Sequence, residues 1–383
     1  MARALYIHWP FCLRKCPYCD FNSHVREAVD HEAWRAALLT DLRHEAAAAG
    51  GEPLESVFFG GGTPSLMPPA IAAALLAEAE RLWGFAADIE ITLEANPSSV
   101  EAARFADLAA AGVNRVSLGL QALDDEALQF LGRLHSVHEG LAALDIARAI
   151  FPRVSFDLIY ARPGQSAAEW ERELARALAL GTGHLSLYQL TIEPGTRFAT
   201  DVRRGAFHPL ADDAAADLWA ITRDLTEAAG LPAYEVSNHA RPGEESRHNL
   251  AYWRYRDYAG IGPGAHGRRN AVATRRHAKP ENFLTAVARN GHGLAEERPL
   301  DRRERATEAL LMGLRLREGI EPGALAARFG LEATDLVDPA RQAFLESLGL
   351  VWSAGGQIGV TPRGMPVLDA LLGELVPADL AAA

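Results

Sequence analysis

The chain has 383 residues, of which 49% are hydrophobic and 23% are charged, the balance of a soluble globular protein. No apolar run approaches the roughly 20 residues that a membrane-spanning helix needs, so the composition excludes an integral membrane protein. With 38 basic and 50 acidic residues the net charge is −12, which argues against nucleic-acid binding by phosphate neutralisation. The first residues lack the pattern of a secretory signal, so we expect a cytoplasmic location.

The first 235 residues alternate between short β-branched or aromatic runs and longer Ala- and Leu-rich stretches, the rhythm of βαβ units. The pattern predicts strands near residues 4–8, 56–59, 89–94, 115–118, 154–159 and 185–190, and helices near 30–49, 69–83, 101–111, 141–150 and 167–180. Parallel strands joined by right-handed crossovers have few other arrangements. We therefore predict an α/β fold, with an incomplete (β/α)6 barrel over residues 1–235.

Residues 236–300 are interpreted as a connecting segment, and residues 301–383 as a smaller C-terminal domain. In the latter, three predicted helices precede LVWSAGGQIGVTPRG, which predicts two short strands about a Gly-Gly turn. Helices followed by a β-ribbon are typical of a winged helix, a fold that often binds DNA. The third helix has Asp335, Asp338 and Glu346 against only Arg341, which favours a lid or partner-docking role over phosphate contact.

The chain has only three cysteines, Cys12, Cys16 and Cys19, all within CLRKCPYC. This span is too short for an ordinary disulfide framework, and soft sulfur ligands favour iron-sulfur clusters, zinc or Cu(I). A zinc site usually has four ligands, and the flanking His8 or His24 would supply the fourth. In a four-iron cluster, three cysteines leave one iron open to bind another molecule. Both metal centres remain alternatives on spacing alone.

Polar and glycine-rich segments fall just after the predicted strands, where barrel enzymes carry their chemistry. The cysteines follow the first strand and GGGTP, residues 60–64, follows the second; Glu94 ends the third strand, Gln121 follows the fourth and Asp157 lies within the fifth. Glycines let the backbone approach a ligand and expose N–H groups to it. We expect one site at this end of the barrel.

The segment YIHWPFCLRKCPYCDF resembles the opening of radical S-adenosylmethionine (SAM) enzymes, in particular the oxygen-independent coproporphyrinogen III oxidase group. The resemblance implies that the three cysteines hold a [4Fe-4S] cluster whose open iron binds SAM. It also implies that Tyr18 packs against the adenine and that Tyr6 lies at the mouth of the site. The residues that the resemblance assigns to the SAM pocket are Tyr18, Gly61, Gly62, Thr63, Glu94, Gln121, Arg133 and Asp157.

Phe21 departs from the oxidase pattern, because the oxidases have a further cysteine at this position that is tied to activity. The segment RHNLAYWR, residues 247–254, is an addition: its HNxxYW pattern resembles the signature of the HemW heme chaperones, which bind heme and pass it to apo-hemoproteins. The resemblance implies heme-binding roles for four residues: His248, Asn249, Tyr252 and Trp253.

This heme-binding interpretation has a chemical basis. Imidazole is a common axial ligand of heme iron, and aromatic side chains cover a porphyrin face. Arg247, Arg254 and Arg256 are near enough in sequence to pair with the propionates. An iron-free coproporphyrinogen needs no axial histidine, so His248 favours a heme carrier. The glycine-rich segment 260–267 predicts a tight loop at the barrel mouth, with His266 as a secondary candidate ligand.

The leading hypothesis is a heme chaperone with a [4Fe-4S] cluster, a SAM site and a heme site, and we assign no catalytic residue. The expected partners are heme and apo-hemoproteins, respiratory ones included, with no nucleic acid and at most peripheral membrane contact. The alternative is a coproporphyrinogen III dehydrogenase that uses a SAM-derived radical for oxidative decarboxylation. A third hypothesis, from another functional class, is a winged-helix nucleic-acid binder with a sensory cluster.

Overall fold

The computed structural model describes residues 3–376; residues 1–2 and 377–383, which the predicted domain bounds include, lie outside it. The strands are β1 (Ala4–Trp9), β2 (Phe11–Cys12), β3 (His24–Val25), β4 (Leu54–Gly61), β5 (Phe85–Ala95), β6 (Arg115–Gln121), β7 (Arg153–Tyr160), β8 (His184–Gln189), β9 (Asn238–Ala240), β10 (Tyr258–Ile261), β11 (His266–Arg269), β12 (Val272–Arg276), β13 (Leu294–Pro299), β14 (Val351–Ala354) and β15 (Gln357–Val360).

The helices are α1 (His31–Ala49), α2 (Pro69–Trp83), α3 (Ser99–Ala102), α4 (Phe105–Ala110), α5 (Asp125–Phe130), α6 (Val137–Ile150), α7 (Ala167–Ala179), α8 (Arg197–Arg203), α9 (Asp212–Ala228), α10 (Arg247–Trp253), α11 (Pro280–Asn290), α12 (Arg302–Gly313), α13 (Pro322–Ala327), α14 (Ala333–Leu336), α15 (Pro339–Ser347) and α16 (Leu368–Leu375). The helix predicted over 101–111 is divided between α3 and α4. The buried Glu101 carboxylate accepts a hydrogen bond from the Asn96 N–H, which holds α3 against the end of β5.

Within residues 3–376, eleven strands form one sheet in the order β13-β12-β11-β10-β1-β4-β5-β6-β7-β8-β9. The six predicted strands correspond to β1 and β4 to β8, and every neighbouring pair among them is parallel. The helices between these strands cover the outer face and share its apolar core. The predicted α/β barrel architecture is therefore confirmed.

Residues 236–300, interpreted from the sequence as a connecting segment, extend this sheet on both sides. Strand β9 pairs antiparallel with β8, and β10 pairs in parallel with β1. Strands β11, β12 and β13 then continue from β10 as antiparallel neighbours. Strands β9 to β13 have three to six residues each, too short for a clear alternating pattern, so periodicity alone does not predict them.

Strand alternation gives the barrel a polar interior. Leu93, Val116 and Phe156 belong to the apolar core, so the intervening residues of the same strands face the lumen. Those lumen-facing residues are polar in four adjacent strands: Thr92, Glu94, Arg115, Ser117, Ser155, Asp157, His184 and Ser186. A polar lumen indicates a binding cavity, because an apolar filling would stabilise a purely structural barrel better.

The C-terminal part has an apolar cluster of its own, which includes Leu310, Leu336 and Leu345. The three predicted helices correspond to α12, α13 and α15, and the predicted ribbon corresponds to β14 and β15. Helices α14 and α16 are additional.

No helix among residues 3–376 has the length and apolar character needed to cross a membrane.

Helix α1 is joined to β12 through buried charges. The Arg276 guanidinium is fully buried and forms ion pairs with Glu45 at 2.6 Å and Asp41 at 3.3 Å. Glu45 also pairs with the buried Arg269 at 2.9 Å. A buried charge that loses its partner is strongly destabilising, so this network fixes the position of α1 on the sheet.

We expect Arg276→Ala to lower the free energy of unfolding by about 3–5 kcal/mol, because it leaves the buried Asp41 without a cation and Glu45 with Arg269 alone. The neighbouring Arg275 is the matched control: its side chain is 54% exposed and pairs with the exposed Glu296. Arg275→Ala should cost less than about 1 kcal/mol. Urea unfolding followed by circular dichroism measures both, and equal midpoints would contradict the assigned role.

Candidate functional site

The cysteine loop begins where β1 ends. Strands β2 and β3 close the loop, because Phe11 pairs with His24 and Cys12 with Val25. Within it, the Cys19 N–H donates to the Cys16 carbonyl at 3.2 Å. All three thiols are free and belong to half-buried residues. The short spacing thus places three reduced sulfur ligands on one tight loop at the barrel mouth.

Each thiol has a polar neighbour, with distances from Sγ of 3.4 Å for Cys12 and Thr63, 3.4 Å for Cys16 and Arg133, and 3.9 Å for Cys19 and Ser23. Burial raises the pKa of the Cys12 thiol to about 11, and it also raises the pKa of Cys19. These two thiols are therefore protonated at neutral pH, and metal binding at them releases protons.

The histidines that flank the loop already have hydrogen-bond partners. His8 uses both ring nitrogens, Nδ1 with the Tyr6 hydroxyl at 3.1 Å and Nε2 with the Asn22 carbonyl at 2.8 Å. His24 Nε2 lies 3.1 Å from Asn22 Oδ1. Within residues 3–376, no three His, Cys, Asp or Glu side chains are grouped as ligands of one metal ion. This holds for the three free thiols too. Because His8 and His24 are engaged by Tyr6 and Asn22, the donors left at the loop are the three sulfurs, which suits a cluster with one open iron better than zinc.

The GGGTP loop is packed against the end of β1. Gly61 has a φ of +116°, and a Cβ there would lie 2.6 Å from the His8 ring. A Cβ on Gly62 would lie 2.7 Å from the Phe11 carbonyl oxygen. The Gly62 N–H donates to Trp9 at 2.7 Å and the Thr63 N–H to Phe11 at 2.8 Å. The expectation that this loop exposes its N–H groups to a ligand was wrong for these two, because Trp9 at the end of β1 and Phe11 of β2 already accept from them.

Glu94 and Asp157 are two carboxylates inside the lumen. Burial and the neighbouring Asp157 raise the pKa of Glu94 to about 8, although the Gly61 N–H donates to it at 3.3 Å. Burial also raises the pKa of Asp157, which accepts from Ser117 at 3.1 Å. Within residues 3–376 neither carboxylate forms a salt bridge. The pair therefore favours a ligand that brings positive charge.

Arg133 and Gln121 lie at the same end of the barrel. The Arg133 guanidinium donates to Asn96 Oδ1 at 2.6 Å and to the Gly119 carbonyl at 2.9 Å. Its Nε is buried and has no hydrogen-bond partner among residues 3–376, which leaves a cationic donor for an acceptor of the ligand. Gln121 has a φ of +69°, and such left-handed residues cluster at binding sites. Tyr18 lies beside Arg133 and Cys16.

One cavity of about 430 Å³, within the range of small-molecule sites, opens beside Phe21 and Asn22, which follow the cysteine loop; none of the three cysteines lines it. Its lining residues are Tyr6, His8, Phe21, Asn22, Gly61, Glu94, His248, Tyr252, Tyr258, Gly264 and His266. Residues from both predicted sites therefore share one space. The sequence prediction missed Tyr258, which lies on β10, and Asn22, whose amide reaches the Pro263 carbonyl at 2.9 Å.

His248 enters this cavity from α10. Its Nδ1 lies 3.2 Å from Ser56 Oγ, and its ring stacks on Phe58 with 5.0 Å between centroids. Burial lowers the pKa of His248 to about 4, so the imidazole is neutral at neutral pH. Among residues 3–376, its Nε2 has no hydrogen-bond partner. A neutral imidazole with a free nitrogen on a cavity is suited to bind a metal centre.

Of the other residues predicted in the HNxxYW segment, Tyr252 lines the cavity, whereas Asn249 and Trp253 do not. Asn249 donates to the Tyr234 hydroxyl at 3.3 Å, and Trp253 lies under Arg315 at 5.9 Å. The three arginines predicted to pair with acidic groups of a ligand have protein partners instead. The ion pairs are Arg247–Asp88 at 2.7 Å, Arg254–Glu318 at 2.8 Å and Arg256–Glu55 at 2.7 Å.

Comparison with known proteins agrees with this geometry. The model of the Radical SAM superfamily matches residues 6–177, and that of the HemN C-terminal domain matches residues 300–367. The heme chaperone HemW of Escherichia coli (strain K12) is 38% identical, with 96% of this chain and 97% of that protein covered. The chain belongs to the HemW family. The Bacillus subtilis (strain 168) HemW is 31% identical over 97% of this chain and its full length.

An animal relative and a solved structure extend the HemW comparison. The Bos taurus protein named radical S-adenosyl methionine domain-containing protein 1, mitochondrial, is 43% identical, with 97% of this chain and 87% of that protein covered. The solved Escherichia coli coproporphyrinogen III oxidase (HemN) shares the fold, with a TM-score of 0.82 at 23% identity, over 97% of this chain and 89% of that one.

The [4Fe-4S] cluster and SAM follow from radical SAM family membership. The residues fit both groups: three free thiols without an added imidazole suit the cluster, and two unpaired carboxylates beside a buried guanidinium suit a zwitterionic sulfonium. When bound, such a cluster would offer its open iron as a binding site for SAM.

We expect a Cys12→Ser, Cys16→Ser, Cys19→Ser triple variant to lose its iron and sulfide after anaerobic reconstitution, because hydroxyls are poor ligands for these soft metals. Metal analysis and the visible absorbance of the protein measure this loss. His24→Ala is the control and should keep its iron. Zinc in place of iron in the native protein would contradict the assigned metal centre.

We expect SAM to bind the reconstituted protein more tightly at about pH 9 than at about pH 6. Below its pKa of about 8, Glu94 is mostly protonated, so binding of a cation must displace the proton. Above that pH the carboxylate is already ionised and pairs with the cation at no such cost. Glu94→Gln should bind SAM about as well as the native protein at the lower pH and roughly tenfold less well at the higher pH. Equilibrium dialysis measures this; a difference that does not change with pH would contradict the role of Glu94.

Proposed function

We propose that this protein is a heme chaperone that binds heme through His248 and passes it to apo-hemoproteins, respiratory ones included. The observation that carries the proposal is the neutral imidazole whose Nε2 is free on the cavity. The Escherichia coli and Bacillus subtilis relatives are named heme chaperones, which supports it. Its proposed location is the cytoplasm, with at most peripheral membrane contact; the Bos taurus relative is named as mitochondrial.

The walls of the cavity suit a porphyrin. Tyr6, Tyr252 and Tyr258 line it together with His248, and Phe58 stacks behind the imidazole. Burial raises the pKa of Tyr6 and of Tyr258 well above the usual range, so neither is a phenolate at neutral pH. These tyrosines therefore supply aromatic surface, and His248 is the metal donor.

The two alternatives have less support from the site. Phe21 lies on the cavity, 59% exposed, where the oxidase group has a cysteine, and an iron-free porphyrinogen makes no use of a free imidazole. For the nucleic-acid binder, Arg341 is already paired with Glu374 at 3.0 Å, so α15 does not offer it freely to phosphate. The site therefore favours the heme chaperone over the dehydrogenase and over the nucleic-acid binder.

We expect hemin titration of the native protein to give a Soret band of a histidine-ligated heme. His248→Ala should lose this band and bind hemin at least tenfold more weakly, because the iron loses its axial ligand. His266→Ala is the matched control, since His266 lines the same cavity but is exposed at its rim. It should keep both the spectrum and the affinity.

The opposite result, loss of the band in His266→Ala alone, would assign the ligand to the rim. An unchanged spectrum in both variants would reject a histidine ligand in this cavity. Anaerobic incubation with coproporphyrinogen III, SAM and a reductant tests the alternative. Stoichiometric protoporphyrinogen would replace the chaperone proposal by the dehydrogenase.

A further inference from the structure

Ser56 is a buried serine in the lumen whose hydroxyl contacts the ring of His248. It lies on β4, is 1% exposed, and its Oγ is 3.2 Å from His248 Nδ1. Phe58, two residues later on the same face of the strand, stacks on the imidazole at 5.0 Å and 29°. Strand β4 therefore contacts the His248 ring at its edge, through Ser56, and on its face, through Phe58.

The neighbouring strand fixes the backbone of the same histidine. Ser56 and Glu90 are paired residues of β4 and β5, so their side chains lie next to each other. The Glu90 carboxylate accepts from the His248 N–H at 3.3 Å and from the Ser246 hydroxyl at 3.4 Å. Ring and backbone are thus held from two adjacent strands, which leaves the imidazole little freedom to turn.

We infer that Ser56 is a positioning residue for the heme ligand: it accepts a hydrogen bond from Nδ1–H of His248 and so directs the Nε2 lone pair to the iron. This inference rests on the proposed function. Metal-binding histidines nearly always donate their second ring N–H to an oxygen, which fixes the tautomer and raises the basicity of the ligating nitrogen. Within residues 3–376, Ser56 is the hydrogen-bond partner of that ring.

The barrel contains a matched control. Ser155 and His184 form the same kind of contact, with Oγ 2.7 Å from Nδ1, and both are buried in the lumen. His184 Nε2 is already engaged by the Tyr234 hydroxyl at 3.0 Å, and His184 does not line the cavity. Ser155→Ala therefore removes a buried serine–histidine hydrogen bond without touching the proposed ligand.

The test compares Ser56→Ala, Ser56→Thr and Ser155→Ala, each with hemin bound and then reduced. In Ser56→Ala we expect the iron–histidine stretching frequency in resonance Raman spectra to fall and hemin affinity to drop roughly tenfold, because the imidazole loses its acceptor. Ser56→Thr keeps the hydroxyl and should restore both. Ser155→Ala should leave both unchanged, even though the protein loses stability.

A readout without heme completes the test. Nitrogen NMR of the ligand-free protein should show His248 with its proton on Nδ1, and Ser56→Ala should shift that population towards Nε2–H. An Nε2–H tautomer in the native protein, or an unchanged stretching frequency in Ser56→Ala, would overturn the role of Ser56 while His248 remained the ligand. Loss of the proposed function is recognised separately, by a native spectrum that survives in His248→Ala.

Discussion

The buried carboxylate of Glu90 is the contact on which the site depends. Burial by itself would raise its pKa, but Arg115 and Arg153 hold the pKa below its usual range, and Arg153 lies at 2.6 Å. The ionised carboxylate then accepts from Ser246 and from the backbone of His248. Displacing α10 would thus remove two of the hydrogen bonds of this buried carboxylate, although Arg153 would still pair with it.

The other end of α10 is held by the C-terminal domain. Arg254 pairs with Glu318, Arg328 donates to the Tyr255 carbonyl at 3.1 Å, and the Tyr255 hydroxyl donates to Glu308. One helix of seven residues is therefore fixed at its beginning by the barrel and just past its end by the smaller domain. Of the three arginines in and beside the HNxxYW segment, Arg254 therefore serves this junction, whereas Arg247 and Arg256 pair with Asp88 and Glu55 of the barrel.

Residues of the predicted SAM pocket and of the predicted heme site line one cavity, because parallel strands direct alternate residues into one lumen. Glu94 and Gly61 reach the cavity from the strand ends near the cysteine loop, whereas His248 and Tyr252 reach it from α10. The same cavity is therefore lined by a carboxylate and by tyrosine rings.

The sequence by itself determined the features that are encoded locally. The cysteine loop depends on three cysteines within a span of eight residues, from Cys12 to Cys19, and the βα rhythm depends on periodicity within single elements. Tertiary structure alone decided that β10 lies beside β1 and that two N–H groups of the GGGTP loop donate to Trp9 and Phe11. It also decided that Asn249 and Trp253 do not line the cavity. Those outcomes depend on strand register and on buried ion pairs between distant segments, and neither leaves a periodic signal in the chain.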